Sequence, residues 1–126
     1  MSDVALRCLI VDDTPSFCEA ARELLEGQGV TVVGCATSAA EAVWSVQELR
    51  PEVALVDIDL GGDSGFELAR RLAAALDGDA PRVILISTHD EREFAKLIES
   101  SPAVGFVAKT ELSAERIYRL LEQADG

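Results

Sequence analysis

The sequence predicts a single α/β domain over residues 1–126, built as a doubly wound parallel sheet with helices on both faces. Strand-like and helical patterns alternate five times along the chain and are joined by short connections, which is typical of this fold class. The strand-like runs are almost continuously apolar, as in strands that helices cover on both sides. Because crossovers between parallel strands are right-handed, an open, doubly wound sheet is the expected arrangement.

Five short apolar runs predict the strands. The first, ALRCLIV, is short and ends in β-branched residues, which favours a buried strand over a helix. The other four runs are VTVVGCA, EVALVD, RVILIS and AVGFVAK. The predicted strands cover residues 5–11, 30–36, 52–57, 82–87 and 103–109.

The helices are predicted from apolar residues at steps of three and four, and from residues that suit helix starts. Thr14 can cap the first helix, Pro15 suits its first turn, and Ser113 can cap the last one. Pairs spaced as capping boxes open the other three: Ser38 with Glu41, Ser64 with Glu67, and Asp90 with Glu93. The predicted helices cover residues 15–27, 38–49, 64–76, 90–99 and 113–122. The segment IDLGGDSG is expected to be a loop.

The composition narrows the function classes. The formal net charge is −12 with no basic stripe, so we expect this domain to bind neither nucleic acid nor an anionic membrane. The three cysteines form no C-x-x-C pair and lie among apolar neighbours, which predicts free, buried thiols. No basic segment like that of a signal peptide opens the chain, and no apolar run reaches the roughly 18 residues of a membrane span. We therefore expect a cytoplasmic protein.

Polar side chains are concentrated where the predicted strands end, which is where open parallel sheets bind their ligands. Four strand ends carry them: Asp12 and Asp13 after the first strand, Asp57 after the third, Ser87 and Thr88 after the fourth, and Lys109 after the fifth. Taken singly, Asp12 or Asp13 could cap the next helix, and Lys109 could be a solvated surface residue. Three carboxylates, a hydroxyl and an ammonium at one edge are better explained as one site.

This set of side chains suits a phosphoryl group beside a metal ion. Clustered carboxylates need a counter-cation, and hard oxygen ligands with room for water suit Mg²⁺ or Mn²⁺. A lysine supplies a second positive charge, and a hydroxyl can donate a hydrogen bond to the same anionic group. Phosphoryl transfer depends mainly on positioning and charge neutralisation, and an aspartate can be the nucleophile, which gives an acyl phosphate.

The sequence resembles the receiver domain of bacterial two-component response regulators over essentially its whole length. Four motifs carry the resemblance in order: VDD after the first strand, LVDIDLGGDSG with Asp57 and Gly65, ILIS ending in Ser87, and GFVAK ending in Lys109. The resemblance implies a flavodoxin-like sheet of five strands in the order 2-1-3-4-5, with five helices. It also implies a chain that catalyses its own phosphorylation and dephosphorylation and is not a turnover enzyme.

The resemblance implies roles for individual residues. Asp57 would accept the phosphoryl group from a histidine kinase, and Ser87 and Lys109 would contact that group. Four groups would hold Mg²⁺ or Mn²⁺: the side chains of Asp12, Asp13 and Asp57, and the backbone carbonyl of Asp59. Conformational switching would then follow, because the phosphoryl group draws Ser87 inward and Phe106 turns into the vacated space.

Some positions depart from the commonest receiver pattern. Thr110 follows the lysine where many receivers have a cis proline, and a cis bond before threonine would cost about 3–4 kcal/mol, so cis geometry is not assumed there. Phe106 lacks a tyrosine hydroxyl. Asp59 and His89 stand at the two positions that tune the phosphoryl lifetime in this family, although His89 could simply be a loop residue. With these residues, the sequence resembles receivers that are attached to helix-turn-helix output domains more than it resembles other receivers.

The expected partners are a histidine kinase, a C-terminal DNA-binding output domain, and a second copy of the chain after phosphorylation. The tail QADG is either a natural end or the start of a linker. Two other functions stay open. A degenerate receiver would bind partners without phosphorylation. A phosphatase of the haloacid-dehalogenase type would use the D-x-D of Asp57 and Asp59, but there the nucleophile follows the first strand.

Overall fold

The computed structural model describes residues 5–75 and 80–125, and the predicted sheet is present in them. We number its strands β1 (Arg7–Val11), β2 (Thr31–Ala36), β3 (Val53–Asp57), β4 (Arg82–Ser87) and β5 (Gly105–Ala108). The strands are all parallel, in the order β2-β1-β3-β4-β5. The predicted strand order 2-1-3-4-5 is therefore confirmed.

Five α-helices in the described residues connect and cover these strands. They are α1 (Pro15–Gly27), α2 (Ala39–Leu49), α3 (Gly65–Ala75), α4 (Ala95–Glu99) and α5 (Ala114–Asp125). The predicted end of the third helix at Leu76 lies outside the described residues. None of the described helices is both long enough and apolar enough to cross a membrane.

The continuous apolar runs are explained by two hydrophobic cores, one on each face of the sheet. Along β1, Leu9 and Val11 face the core under α2 and α3, whereas Cys8 and Ile10 face the core under α1 and α5. Alternate residues of β3 and β4 divide between the two cores in the same way. Since both faces are buried, the strands need apolar side chains at successive positions and not at every second one.

Two segments differ from the predicted elements. The segment expected to be a loop contains a short antiparallel hairpin, in which Asp59–Leu60 pairs with Asp63–Ser64. Gly61 has a φ of 74° at its turn, which glycine adopts without strain. The fourth predicted helix begins instead as a 3₁₀ turn, Glu91–Phe94, before α4. Phe94 has φ −125° and ψ 18° there, outside α-helical geometry, and its ring packs against Phe66 with centroids 6.2 Å apart.

Most of the predicted helix caps are confirmed by hydrogen bonds. Four side-chain oxygens accept backbone amides at helix starts, those of Ser38, Ser64, Asp90 and Ser113. Among the described residues, only Asp90 and Glu93 form a complete capping box. Thr14 occupies the predicted N-cap position of α1, but its hydroxyl accepts no amide of that helix. Its amide instead donates to Asp12 Oδ1 at 2.8 Å, which ties the start of the helix to the end of β1.

The cysteines also differ from the expectation of three free thiols. Cys18 of α1 and Cys35 of β2 form a disulfide, and their Cα atoms are 6.3 Å apart. That separation is within the usual range for a disulfide. Sequence spacing does not reveal the pair, because only the packing of α1 on β2 brings the two residues together. Cys8 is a free thiol as expected, and burial raises its pKa to about 12.

Gly65 allows α3 to begin directly against the end of β3. A Cβ atom at this position would lie 2.1 Å from the backbone oxygen of Asp57 and 2.6 Å from Cα of Ile58. The Gly65 amide also donates to the carbonyl of Ile58 at 3.0 Å. Any larger residue would therefore displace the strand end that carries Asp57.

We expect Gly65→Ala to lower the free energy of unfolding by about 2 kcal/mol, because the clash involves backbone atoms that cannot rotate away. The gain in helix propensity, at most about 1 kcal/mol, does not offset this loss. Urea unfolding would measure it. Gly62→Ala is the matched control, since a Cβ there meets nothing within 4 Å. Equal stabilities of the two variants would contradict this account of Gly65.

Candidate functional site

The predicted site residues meet at the carboxyl edge of the sheet. Asp57 pairs in register with Ile86, so Ser87 extends one residue beyond it, and Ser87 in turn pairs with Ala108 beside Lys109. A cleft of about 270 Å³ opens at this edge. It is lined by Asp13, Thr14, Asp57, Asp59, Gly61, Ser87, Thr88, His89 and Lys109.

Three carboxylates converge at this edge of the sheet, two of them lining the cleft and the third, Asp12, buried beside it. One oxygen from each of Asp12, Asp13 and Asp57 can be chosen so that all three lie within 4.8 Å of one another. Asp12 is fully buried and Asp57 is 7% exposed, whereas Asp13 is open to solvent. Like charges this close repel one another, and burial strengthens the repulsion.

Lys109 supplies the compensating charge within the protein. Its Nζ donates a hydrogen bond to Asp57 Oδ2 at 3.0 Å and lies 2.5 Å from Asp12 Oδ2. The contact with Asp12 is an ion pair without hydrogen-bond geometry, so that buried oxygen accepts no hydrogen bond from the described residues. One ammonium opposes three carboxylates, and the cleft keeps an excess of negative charge.

The pKa values of the two central groups follow from this arrangement. Burial is the largest effect on Asp57 and raises its pKa above the usual 3.8, and the charge of Asp12 adds to the rise. The Asp59 amide and Lys109 lower this pKa without cancelling the rise. For Lys109, burial lowers the pKa, but the close contacts of its ammonium with the Asp12 and Asp57 carboxylates outweigh burial and leave the pKa raised.

The donor set fits a hard divalent cation. Three carboxylate oxygens within reach of one point are the ligands that Mg²⁺ and Mn²⁺ prefer. Asp12 Oδ2 is buried and contacts the Lys109 ammonium, which Asp57 shares, so a divalent cation would neutralise the charge that one lysine leaves unbalanced. The residues at this edge are therefore compatible with a metal site.

Backbone amides hold the carboxylate of Asp57 and that of the neighbouring Asp59 in place. Asp57 Oδ1 accepts the amide of Asp59 at 3.0 Å, which leaves Oδ2 for Lys109. Asp59 is exposed, and its own Oδ1 accepts the amide of Gly61 at 3.2 Å, within the hairpin. A Cβ on Gly61 would come within 3.2 Å of Asp13 Oδ2, so the glycine turn passes close to the third carboxylate.

Ser87 and His89 line the cleft, and the other predicted residues lie beside it. Ser87 is buried, and its Oγ accepts the amide of His89 at 2.9 Å. His89 is exposed, with Nδ1 3.8 Å from Glu93 Oε2. The Lys109–Thr110 peptide bond is trans, as are the other peptide bonds of the described residues.

Phe106 was expected to turn inward only after phosphorylation. In the structure its side chain is already buried, with 9% of the residue exposed, and it belongs to the core under α2 and α3. The inward position is therefore compatible with a site in which Asp57 is unmodified.

One residue of the site has no signal in the sequence. Lys109 Nζ lies over the ring of Phe17, 4.4 Å from its centroid. The helical pattern accounts for Phe17 as an ordinary apolar residue of α1, partly buried against the core under α1 and α5. Its contact with the lysine joins the first helix to the last strand end and depends on tertiary packing.

Comparison with known proteins gives a consistent result. The family model described as the response regulator receiver domain matches residues 8–122. A probable transcriptional regulatory protein NarL from Mycobacterium tuberculosis is 34% identical over 123 residues, 96% of this chain and 56% of that protein. A protein-glutamate methylesterase/protein-glutamine glutaminase from Myxococcus xanthus is 36% identical over 118 residues, 91% of this chain and 33% of that protein. The chain thus spans between a third and just over half of these two relatives.

Solved structures agree with the sequence comparison. The receiver domain of the response regulator NarL from M. tuberculosis superposes with a TM-score of 0.80 at 31% identity, covering 97% of this chain and 98% of that one. The receiver domain of a diguanylate cyclase from Desulfovibrio desulfuricans gives a TM-score of 0.77 at 34% identity, covering 96% and 94%. Since the family model spans most of the chain, the chain belongs to the response regulator receiver domain family.

Proposed function

We propose that this domain accepts a phosphoryl group on Asp57 from a phosphohistidine of a histidine kinase and changes conformation in response. The observation that supports it most is the position of the Asp57 carboxylate, beside Asp12, Asp13 and the Lys109 ammonium in an open cleft. A carboxylate oxygen would attack phosphorus, and the electron pair of the broken P–N bond would return to the imidazole. The product would be an acyl phosphate at Asp57.

The neighbouring side chains would stabilise charge on the phosphoryl oxygens. Lys109 is already within 3.0 Å of Asp57 Oδ2, so a small movement would bring its ammonium to a phosphoryl oxygen. Ser87 Oγ accepts the His89 amide, which leaves its own proton free to be donated. Mg²⁺ or Mn²⁺, held by the carboxylates of Asp12, Asp13 and Asp57 and the Asp59 carbonyl, would neutralise further negative charge.

The β4–α4 connection would carry the signal. The His89 amide is bonded to Ser87 Oγ, so movement of Ser87 toward a phosphoryl group would pull on the residues that precede α4. Phe106 lines a neighbouring pocket together with Thr88 and His89 and would readjust with this connection from its inward position. The face formed by α4, β5 and α5 would change shape as a two-state element. A second copy of the chain or a DNA-binding output domain would bind that face, in the cytoplasm.

The two other functions are less well supported. Membership of the receiver family, with Asp57 at the end of the third strand, disfavours a turnover phosphatase. A degenerate receiver would be expected to lack part of the acidic set, and all three carboxylates are present and close together.

We expect acetyl phosphate with Mg²⁺ to label the wild-type domain once, at Asp57, and to leave Asp57→Asn unlabelled, because the amide is not a nucleophile. Intact-protein mass spectrometry would measure the added phosphate. Asp63→Asn is the matched control, since Asp63 is an exposed carboxylate of the nearby hairpin that is not in the cluster. EDTA should abolish labelling of both wild type and control. Undiminished labelling of Asp57→Asn would exclude Asp57 as the acceptor.

We also expect Asp57→Asn to be more stable than wild type at neutral pH without metal, by roughly 1 kcal/mol, because it removes a buried like charge. The raised pKa of Asp57 means that its neutral form favours the fold. The contribution of protonated Asp57 to the free energy of unfolding is fully present below the pKa of the unfolded chain, near 3.8. It is lost as pH rises through the higher pKa of the folded protein. The advantage of the variant should therefore grow as pH rises from 4 to 7.

Thermal unfolding across this pH range would measure the difference, with Asp63→Asn again as the control. Added Mg²⁺ should raise the midpoint of wild type much more than that of Asp57→Asn, because only wild type keeps the third carboxylate. A wild type that is the more stable protein at pH 7 without metal would show that Lys109 already balances the charge.

A further inference from the structure

The aromatic ring of Phe17 covers the ammonium of the site lysine. Lys109 Nζ lies 4.4 Å from the ring centroid, and the lysine side chain is only 12% exposed. The face of an aromatic ring carries partial negative charge and attracts a cation within about 6 Å. The ammonium is thus held by three groups, two carboxylates and one ring.

The position of Phe17 is fixed by the same residues that start α1. The amide of Thr14 donates to Asp12 Oδ1 at 2.8 Å, and the amide of Phe17 donates to the carbonyl of Thr14 at 3.1 Å. Pro15 fixes its own φ at the first helical position between them. The ring is therefore placed by the backbone segment that also carries Asp12.

A lysine needs such a contact because its stem is flexible. Four rotatable carbons separate the ammonium from the backbone, and an ammonium is a point charge without the directional fork of arginine. Two carboxylates alone leave it free to exchange one partner for the other or for water. A ring in contact with the ammonium adds a third attraction and so restricts its movement away from the two carboxylates.

We propose that Phe17 is a positioning residue that holds the Lys109 ammonium against Asp57 through its aromatic face. The positioning itself is independent of any reaction. Its consequence, faster phosphoryl transfer to Asp57, rests on the function proposed above. A Phe17 that only fills the core would be replaced by leucine with no effect on the lysine, so the two roles make different predictions.

Nuclear magnetic resonance of the metal-free protein labelled with ¹³C-lysine tests the positioning directly. The sequence has only two lysines, Lys96 and Lys109, so Lys96 is an internal reference. The Hε protons of Lys109 should be shifted upfield by the ring in wild type and in Phe17→Tyr. In Phe17→Leu this shift should be lost and, because the ammonium is released, the order parameter of Lys109 ¹³Cε should also fall, whereas the signals of Lys96 should not change.

Phosphorylation rates test the consequence. With acetyl phosphate and Mg²⁺, Phe17→Leu should be labelled about three- to tenfold more slowly than wild type, the range that the loss of one cation–π contact gives. Phe17→Tyr should restore the rate to within about twofold. Tyr118→Leu on the exposed side of α5 is the control for loss of an aromatic residue. In a Lys109→Ala background the leucine substitution should have no further effect, because the two residues act as one unit.

A Lys109 ¹³Cε order parameter that is unchanged in Phe17→Leu would overturn the proposal, and so would a Phe17→Tyr variant that reacts as slowly as Phe17→Leu. Urea unfolding would establish that each variant is folded, and Phe17→Met replaces the leucine variant if that one is not. If wild type itself were not labelled, the proposed function would fail, whereas the lysine spectra would still decide the role of Phe17.

Discussion

The contact of one lysine with two aspartates at the carboxyl edge of the sheet is the constraint on which the site depends. Lys109 neutralises part of the charge of Asp12 and Asp57, but a third carboxylate, Asp13, lies within reach and Asp12 keeps an oxygen without a hydrogen bond. Such an arrangement is costly unless a cation or an anionic group with its own counter-ion completes it. The excess negative charge at this edge is what makes the cluster compatible with a metal ion.

The fold makes this constraint unavoidable. Parallel strands place all their carboxyl ends on one edge, and the order β2-β1-β3-β4-β5 puts β1 and β3 side by side at the centre. The aspartates that follow these two strands must then be close together, and the lysine that follows β5 reaches back to them. The two hydrophobic cores fix the strands against each other, so the carboxylates at their ends stay close together.

The sheet was predictable from sequence because strands buried on both faces are continuous apolar runs, and the carboxylates were predictable because they directly follow such runs. Features that depend on tertiary packing could not be predicted from the sequence. The short hairpin after β3 is too brief to show a periodicity, and the Cys18–Cys35 pair depends on how α1 lies on β2. The contact of Phe17 with Lys109 and the inward position of Phe106 are side-chain arrangements that no local pattern encodes.

Titration of the metal-free domain with Mg²⁺, followed by backbone amide resonances, tests the central claim most directly. If the unbalanced charge at the sheet edge creates the site, one ion should bind per chain. The largest shifts should fall at residues 12–14, 57–61 and 87–89, with little change along the acidic helices. Shifts that spread over the acidic surface without saturating would contradict the account, because they would show that Lys109 alone balances the three carboxylates.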